Sequence, residues 1–209
     1  MITHLISHIG PHGTTDKEKD ARNLMFLIKQ EKLISNPPIA MSEYIARKIA
    51  GELAVLPFKN FFGRDVFLVP IPKSSLMATG TLWVPHRLVQ ALCKFNLGSE
   101  FNCLTRIKPV NKAAFAKPGD RPTAIGHYET ISVQKKLESP KQILLVDDVV
   151  TRGATLLGSA SRLHEAFPDA VIRGFAVLRT VSESKFFDRV DSPTIGTIKL
   201  NNGNTYRRP

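Results

Sequence analysis

The stretch Ile143-Leu144-Leu145-Val146-Asp147-Asp148, followed by Val149-Val150-Thr151-Arg152-Gly153-Ala154-Thr155, constrains the fold more than any other part of the chain. Four consecutive apolar residues, two of them β-branched, read as a short strand buried on both faces. Two adjacent carboxylates end the run abruptly. Leu156, Ala160, Leu163 and Phe167 then recur at helical spacing, and Val171 to Leu178 supplies a second apolar run. Strand, helix and strand in this order form a βαβ unit, whose two strands are parallel. The expected fold is therefore α/β, with a mostly parallel central sheet flanked by helices.

Other elements fit around this unit. Thr15-Asp16-Lys17-Glu18 reads as a capping box ahead of Ala21, Leu24, Met25 and Ile28, and Asn36-Pro37-Pro38 stops the chain. Ser42 is a candidate cap for a second helix carrying Ile45, Ile49 and Leu53. Val66 to Val69, closed by Pro70 and Pro72, is a buried strand running into a loop, and a helix follows from Pro85 with Leu88, Ala91, Leu92 and Phe95 on one stripe. Phe101 to Thr105 and Thr130 to Val133 are weaker strands. Asn201-Asn202-Gly203-Asn204 turns a C-terminal β-hairpin, because Asn-Gly tolerates positive φ. His4, His8 and His12 are four apart, but Gly10, Pro11 and Gly13 break any helix there, so this segment reads as a solvated arm. Residues 1–60 are expected to be a helical extension packed on the core, and 61–209 the main domain.

Among 209 residues, 29 are Lys or Arg and 18 are Asp or Glu, a formal net charge of +11. The excess is densest over 105–140, where Arg106, Lys108, Lys112, Lys117 and Arg121 lie among prolines, which makes a basic loop suited to a polyanion. No run approaches the ~20 apolar residues that span a membrane, and no signal-like segment opens the chain. Two cysteines, Cys93 and Cys103, form neither a disulfide framework nor a zinc cluster. A cytoplasmic protein is expected.

The chemistry concentrates where the first strand of the βαβ unit ends. Ligands of open α/β sheets sit beyond the carboxyl ends of strands, where Asp147 and Asp148 emerge. Carboxylates there accept hydrogen bonds from sugar hydroxyls or hold a hydrated Mg²⁺. Gly153, the Thr151 and Thr155 hydroxyls and the amides opening the next helix suit a phosphate. Two acids, two hydroxyls and a glycine in this order exceed what helix capping requires.

This sequence resembles the type I phosphoribosyltransferases, whose signature is an apolar strand, an acidic pair, and a Thr- and Gly-containing loop entering a helix. The order Val69-Pro70-Ile71-Pro72-Lys73, a helix, Leu104-Thr105-Arg106 and a basic loop looks most like their competence-type branch. The resemblance implies that Asp147, Asp148, Val149, Val150, Thr151, Arg152, Gly153, Ala154 and Thr155 bind the ribose 5-phosphate of phosphoribosyl pyrophosphate. It implies that Pro72, Lys73, Ser74 and Ser75 form the pyrophosphate loop. Residues 106–124 would be a mobile hood carrying Arg106, Lys112 and Arg121. Asp147, Asp148, Lys73 and Arg106 would carry the chemistry, with Mg²⁺ held by the two acids through water and a nitrogenous base as acceptor. Arg152 stands where many members carry a second hydroxyl residue, and residues 1–60 contain no cysteine, so the branch's N-terminal zinc module is not expected. A homodimer is compatible with the resemblance. The alternative is a non-catalytic sensor of the same ligand that binds nucleic acid, motivated by the charge of +11 and Arg207-Arg208. No P-loop, GxGxxG or HExxH motif supports other chemistries.

Overall fold

The two apolar runs that the sequence marks as buried strands lie side by side. A computed structural model of the chain describes residues 1–9, 15–111, 121–134, 139–181 and 189–208. In chain order the elements are β1 (Ile2–Ile9), α1 (Asp16–Lys29), β2 (Leu33–Ile34), β3 (Ile39–Ala40), α2 (Met41–Glu52), β4 (Val66–Pro70), α3 (Val84–Lys94), β5 (Ser99–Glu100) and β6 (Leu104–Arg106). They continue with α4 (Ala124–Glu129), β7 (Ile131–Val133), β8 (Gln142–Val150), α5 (Ala154–Ala166), β9 (Val171–Val181), β10 (Asp191–Asn201) and β11 (Asn204–Arg208).

Seven strands form the central sheet in the order β11-β10-β1-β9-β8-β4-β5. The five from β1 to β5 in that order are mutually parallel, and the β10-β11 hairpin adds two antiparallel strands at one edge. Alternate residues of each strand serve opposite faces. Leu68, Leu144 and Val146 join Met41, Ile45, Ile49, Leu88 and Leu92 of α2 and α3 in one core, whereas Val69, Ile143 and Leu145 join Leu156 and Leu163 of α5 in the other. Both faces are thus covered, which is why these strands are apolar throughout. This is the α/β architecture expected, with its C-terminal hairpin turned at Asn202 and Gly203, both at positive φ.

Four local expectations are corrected. Ile2–Ile9 is neither helical nor a solvated arm: β1 sits inside the sheet between β10 and β9, and His4 is 1% exposed. Its ladder partners lie near the other end of the chain, so no local signal announces it. The acids do not end β8, because β9 continues alongside and pairs Asp147 with Ala176 and Val149 with Leu178. Ser42 does not cap α2; the N-cap is Ala40, and the Ser42 hydroxyl donates to the Glu31 carboxylate instead. Finally, the weaker strand expected over Phe101 to Thr105 is confined to β6, which pairs with β7 in a separate two-stranded sheet, and α4 lies between them in the chain. Phe58, Phe61 and Phe62 pack into the core with Phe175.

Candidate active site

Pro70 and Pro72 have no amide hydrogen, so β4 leaves its ladder here after Ile71 N donates to Val146 O over 2.9 Å. The connection from β4 runs through α3 to β5 at one edge, while β8 runs through α5 to β9 in the other direction. Because α3 and α5 cover opposite faces, the crevice between the carboxyl ends of β4 and β8 is a topological switch point. A pocket of about 300 Å³ occupies it. Ile71, Pro72, Lys73 and Ser74 form one wall, Asp147, Asp148 and Val149 the opposite one, and Leu82, Val84 and Pro85 an apolar side. Thr155, Arg106 and His127 complete the lining.

The acids are held by their own backbone. Asp147 Oδ1 accepts from Asp148 N at 3.0 Å, and Asp148 Oδ1 accepts from Val149 N at 2.8 Å. Burial, and then the neighbouring Asp148 charge, push the Asp147 carboxyl well above the ordinary carboxylate range. Part of Asp147 surface still opens on the pocket, so a cation or a donor placed there would relieve both causes.

Arg106 is 2% exposed and fixed in β6. Its Nε donates to Lys73 O at 2.9 Å and its Nη1 to Thr130 Oγ1 at 2.6 Å, while Nη2 lies 3.3 Å from His127 Nδ1. Burial pushes its guanidinium down to about 10, which leaves it charged at neutral pH. Val110 N donates to Ser74 O at 2.9 Å, so the base of the basic loop is tied to the loop after β4 at two points. His127 Nε2 lies 3.2 Å from Thr155 Oγ1. Burial first, then the Arg106 charge, lower the imidazole to about 4.

Of the residues singled out in the sequence, Pro72, Lys73, Ser74, Arg106, Asp147, Asp148, Val149 and Thr155 converge on the pocket. Ser75, Val150, Thr151, Arg152, Gly153, Ala154 and Arg121 are outside its lining, and Lys112 lies outside the described residues. Arg106 was expected on a moving hood; it is a buried anchor at the base of the basic loop. Thr151, outside the lining, has its hydroxyl 3.4 Å from that of Thr180 and its carbonyl accepting from Arg207 Nε at 3.1 Å. Gly153 caps α5 at φ +85°, and a Cβ there would come within 2.4 Å of Ile198 Cδ1. Sequence reading missed His127 as a pocket residue. The available signal was Thr123, whose hydroxyl accepts from Gly126 N at 3.1 Å and starts α4.

No known family model and no curated protein matches the sequence. Among solved structures, a hypoxanthine phosphoribosyltransferase from Staphylococcus aureus is 13% identical, with 68% of this chain aligned to 75% of that one at a TM-score of 0.35. One from Trypanosoma cruzi is 14% identical over 78% of this chain and 76% of its own, at a TM-score of 0.33. At such values neither carries an inference about the reaction. No helix among the described residues is long and apolar enough to cross a membrane.

Proposed function

We propose that this protein is a phosphoribosyltransferase of the type I fold, which transfers ribose 5-phosphate from phosphoribosyl pyrophosphate to a nitrogenous base and releases pyrophosphate. The observation that carries this reading is the facing of the Pro72-Lys73-Ser74 loop and the Asp147-Asp148 pair across one switch-point pocket. A diphosphate suits the cationic wall, and vicinal ribose hydroxyls suit the carboxylates as donors.

Departure of pyrophosphate from the anomeric carbon leaves an oxocarbenium-like centre, so the protein's work is electrostatic and positional. Lys73 faces the leaving group, and Arg106 holds the Lys73 carbonyl so that the loop keeps its shape. Asp147 and Asp148 orient the ribose. The apolar side made by Leu82, Val84 and Pro85 offers a surface for a planar base. Mg²⁺ fits this donor set: two adjacent carboxylates, one of them raised by burial, match an ion that keeps several waters and is completed by substrate oxygens. Among the described residues no group of three or more metal-type side chains forms a complete protein cage. When bound, the ion would neutralise charge on the departing pyrophosphate.

Calorimetric titration with phosphoribosyl pyrophosphate, with and without Mg²⁺, tests the reading. Mg²⁺-dependent binding lost in Asp147→Asn/Asp148→Asn supports it, and a screen of bases for pyrophosphate release then identifies the acceptor. Undiminished binding in that double variant would falsify the site.

A second reading, a ligand-sensing regulator that binds nucleic acid, is favoured by a separate hollow of about 550 Å³ on the hairpin, lined by Lys199, Tyr206, Arg207 and Arg208 with Leu200 and Asn201. Nucleic-acid binding that weakens steeply with salt, without turnover of any base, would favour it.

A further inference from the structure

A guanidinium has donors and no acceptor, so the contact between Arg106 Nη2 and His127 Nδ1 fixes Nδ1 as the acceptor. The neutral imidazole then carries its proton on Nε2 and donates it to Thr155 Oγ1. With one of its two lone pairs taken, the Thr155 hydroxyl keeps its own proton free to donate. Among the described residues its side chain has no second bond, and Thr155 lines the pocket. We infer that His127 is a positioning residue for an anion subsite: held by Arg106, it orients the Thr155 hydroxyl and leaves its proton to be donated into the pocket, where that hydroxyl takes an anionic phosphate oxygen. The inference rests on the phosphoribosyl reading for the identity of the ligand.

The placement of His127 is built into the packing. Gly158 of α5 lies so close to α4 that a Cβ there would come within 2.5 Å of Ala124 O, 2.8 Å of His127 Cβ and 2.9 Å of Tyr128 N. Glycine lets the two helices meet and brings His127 over the first turn of α5. The charged groups that share the pocket with His127 are Arg106 from β6, Lys73 from the loop after β4, and Asp147 and Asp148 from β8. Arg106, which touches the ring, disfavours its protonation, as burial does, so the relay stays in its neutral form around pH 7.

The test combines spectroscopy with a double-mutant cycle read by calorimetry with ribose 5-phosphate and with phosphoribosyl pyrophosphate. In the wild-type protein, ¹⁵N correlation spectra of the imidazole are expected to show a protonated Nε2 and a bare Nδ1. His127→Leu and Thr155→Val are each expected to weaken ribose 5-phosphate binding roughly tenfold or more, the loss of one hydrogen bond to a charged group. The double variant is expected to bind no more weakly than Thr155→Val alone. His127→Gln, which keeps an amide donor in place of Nε2, is expected to restore binding to within a few-fold and to guard against a folding defect in the leucine variant. Losses that add, a proton on Nδ1, or unchanged binding in His127→Leu would overturn the inference while leaving the substrate reading intact. A wild-type protein that binds neither ligand would overturn both.

Discussion

Arg106 Nε donates to Lys73 O across 2.9 Å, and this bond joins two segments that are 33 residues apart in the chain. The same buried guanidinium also serves Thr130 and His127. Arg106→Ala strands those acceptors and is expected to lower unfolding stability by about 3 kcal/mol, measured by urea denaturation. Arg106→Lys keeps the charge without the planar fork and should recover only part of the loss. An alanine variant as stable as the wild type would show that the three contacts contribute little.

Asp147 gives a trade between stability and binding. Its folded pKa lies above the unfolded value, so folding favours the protonated acid. Relative stability from this group is therefore present below the unfolded value near 3.8 and is lost as pH rises through the folded one. Asp147→Asn, which can still accept from Asp148 N, is expected to raise Tm of the ligand-free protein at neutral pH and to abolish ligand binding. The gain should shrink in acid, where the wild-type carboxyl is already neutral. Thermal melts at pH 4 and pH 7 check both halves, and a lowered Tm at pH 7 would count against the burial of this charge.

His4 and His127 work in the opposite sense. Burial lowers them to about 3 and about 4, with Arg179 and Arg207 contributing at His4 and Arg106 at His127. The unfolded chain binds protons first, so stability is complete above about pH 6.5 and falls between there and pH 3 to 4. The combined loss is expected to be on the order of a few kcal/mol. Urea midpoints measured from pH 7.5 to 4.5 should decline in the wild type and decline less in His4→Gln. Parallel curves would remove His4 from the account.

Gly158→Ala introduces a methyl against the backbone oxygen of Ala124, which cannot swing aside like a side-chain end. Helix α4 must shift, with an expected cost of about 1–3 kcal/mol and a loss of ribose 5-phosphate binding that tracks the displacement of His127. Hydrogen exchange in α4 reports the shift directly. Unchanged protection across Ala124–Glu129 would mean that the helices have room to spare.

Elements whose partners are close in sequence, or whose burial is complete, were legible. The apolar run of β8, the helical spacing of Leu156 and Leu163, and the reciprocal Thr15 and Glu18 cap all carry their own signal. Strand β1 does not, because Thr3 and His4 look polar until β9 and β10 bury them. Helix α4 has six residues, too few for a periodicity. For the site, the acids were readable from the apolar run of β8 that leads into them, and Lys73 from the Val69-Pro70-Ile71-Pro72-Lys73 segment that carries the family resemblance. His127 was not, since its two partners come from β6 and α5, 21 and 28 residues away. The same holds for Arg106, whose position in a basic loop suggested a moving cation and whose contacts make it an anchor.

Strand β1 takes its place in the sheet only through partners that lie far along the chain. Thr3 Oγ1 donates to Thr194 O, 191 residues downstream, and both ladders of β1 are built with β9 and β10. A nascent chain must therefore carry β1 without its sheet partners until β9 and β10 have been made. Such long-range closure slows folding, and it makes completion of the sheet depend on the C-terminal hairpin segment. Translation that stops before β10 leaves β1 with an open edge, which is a ready template for pairing between chains.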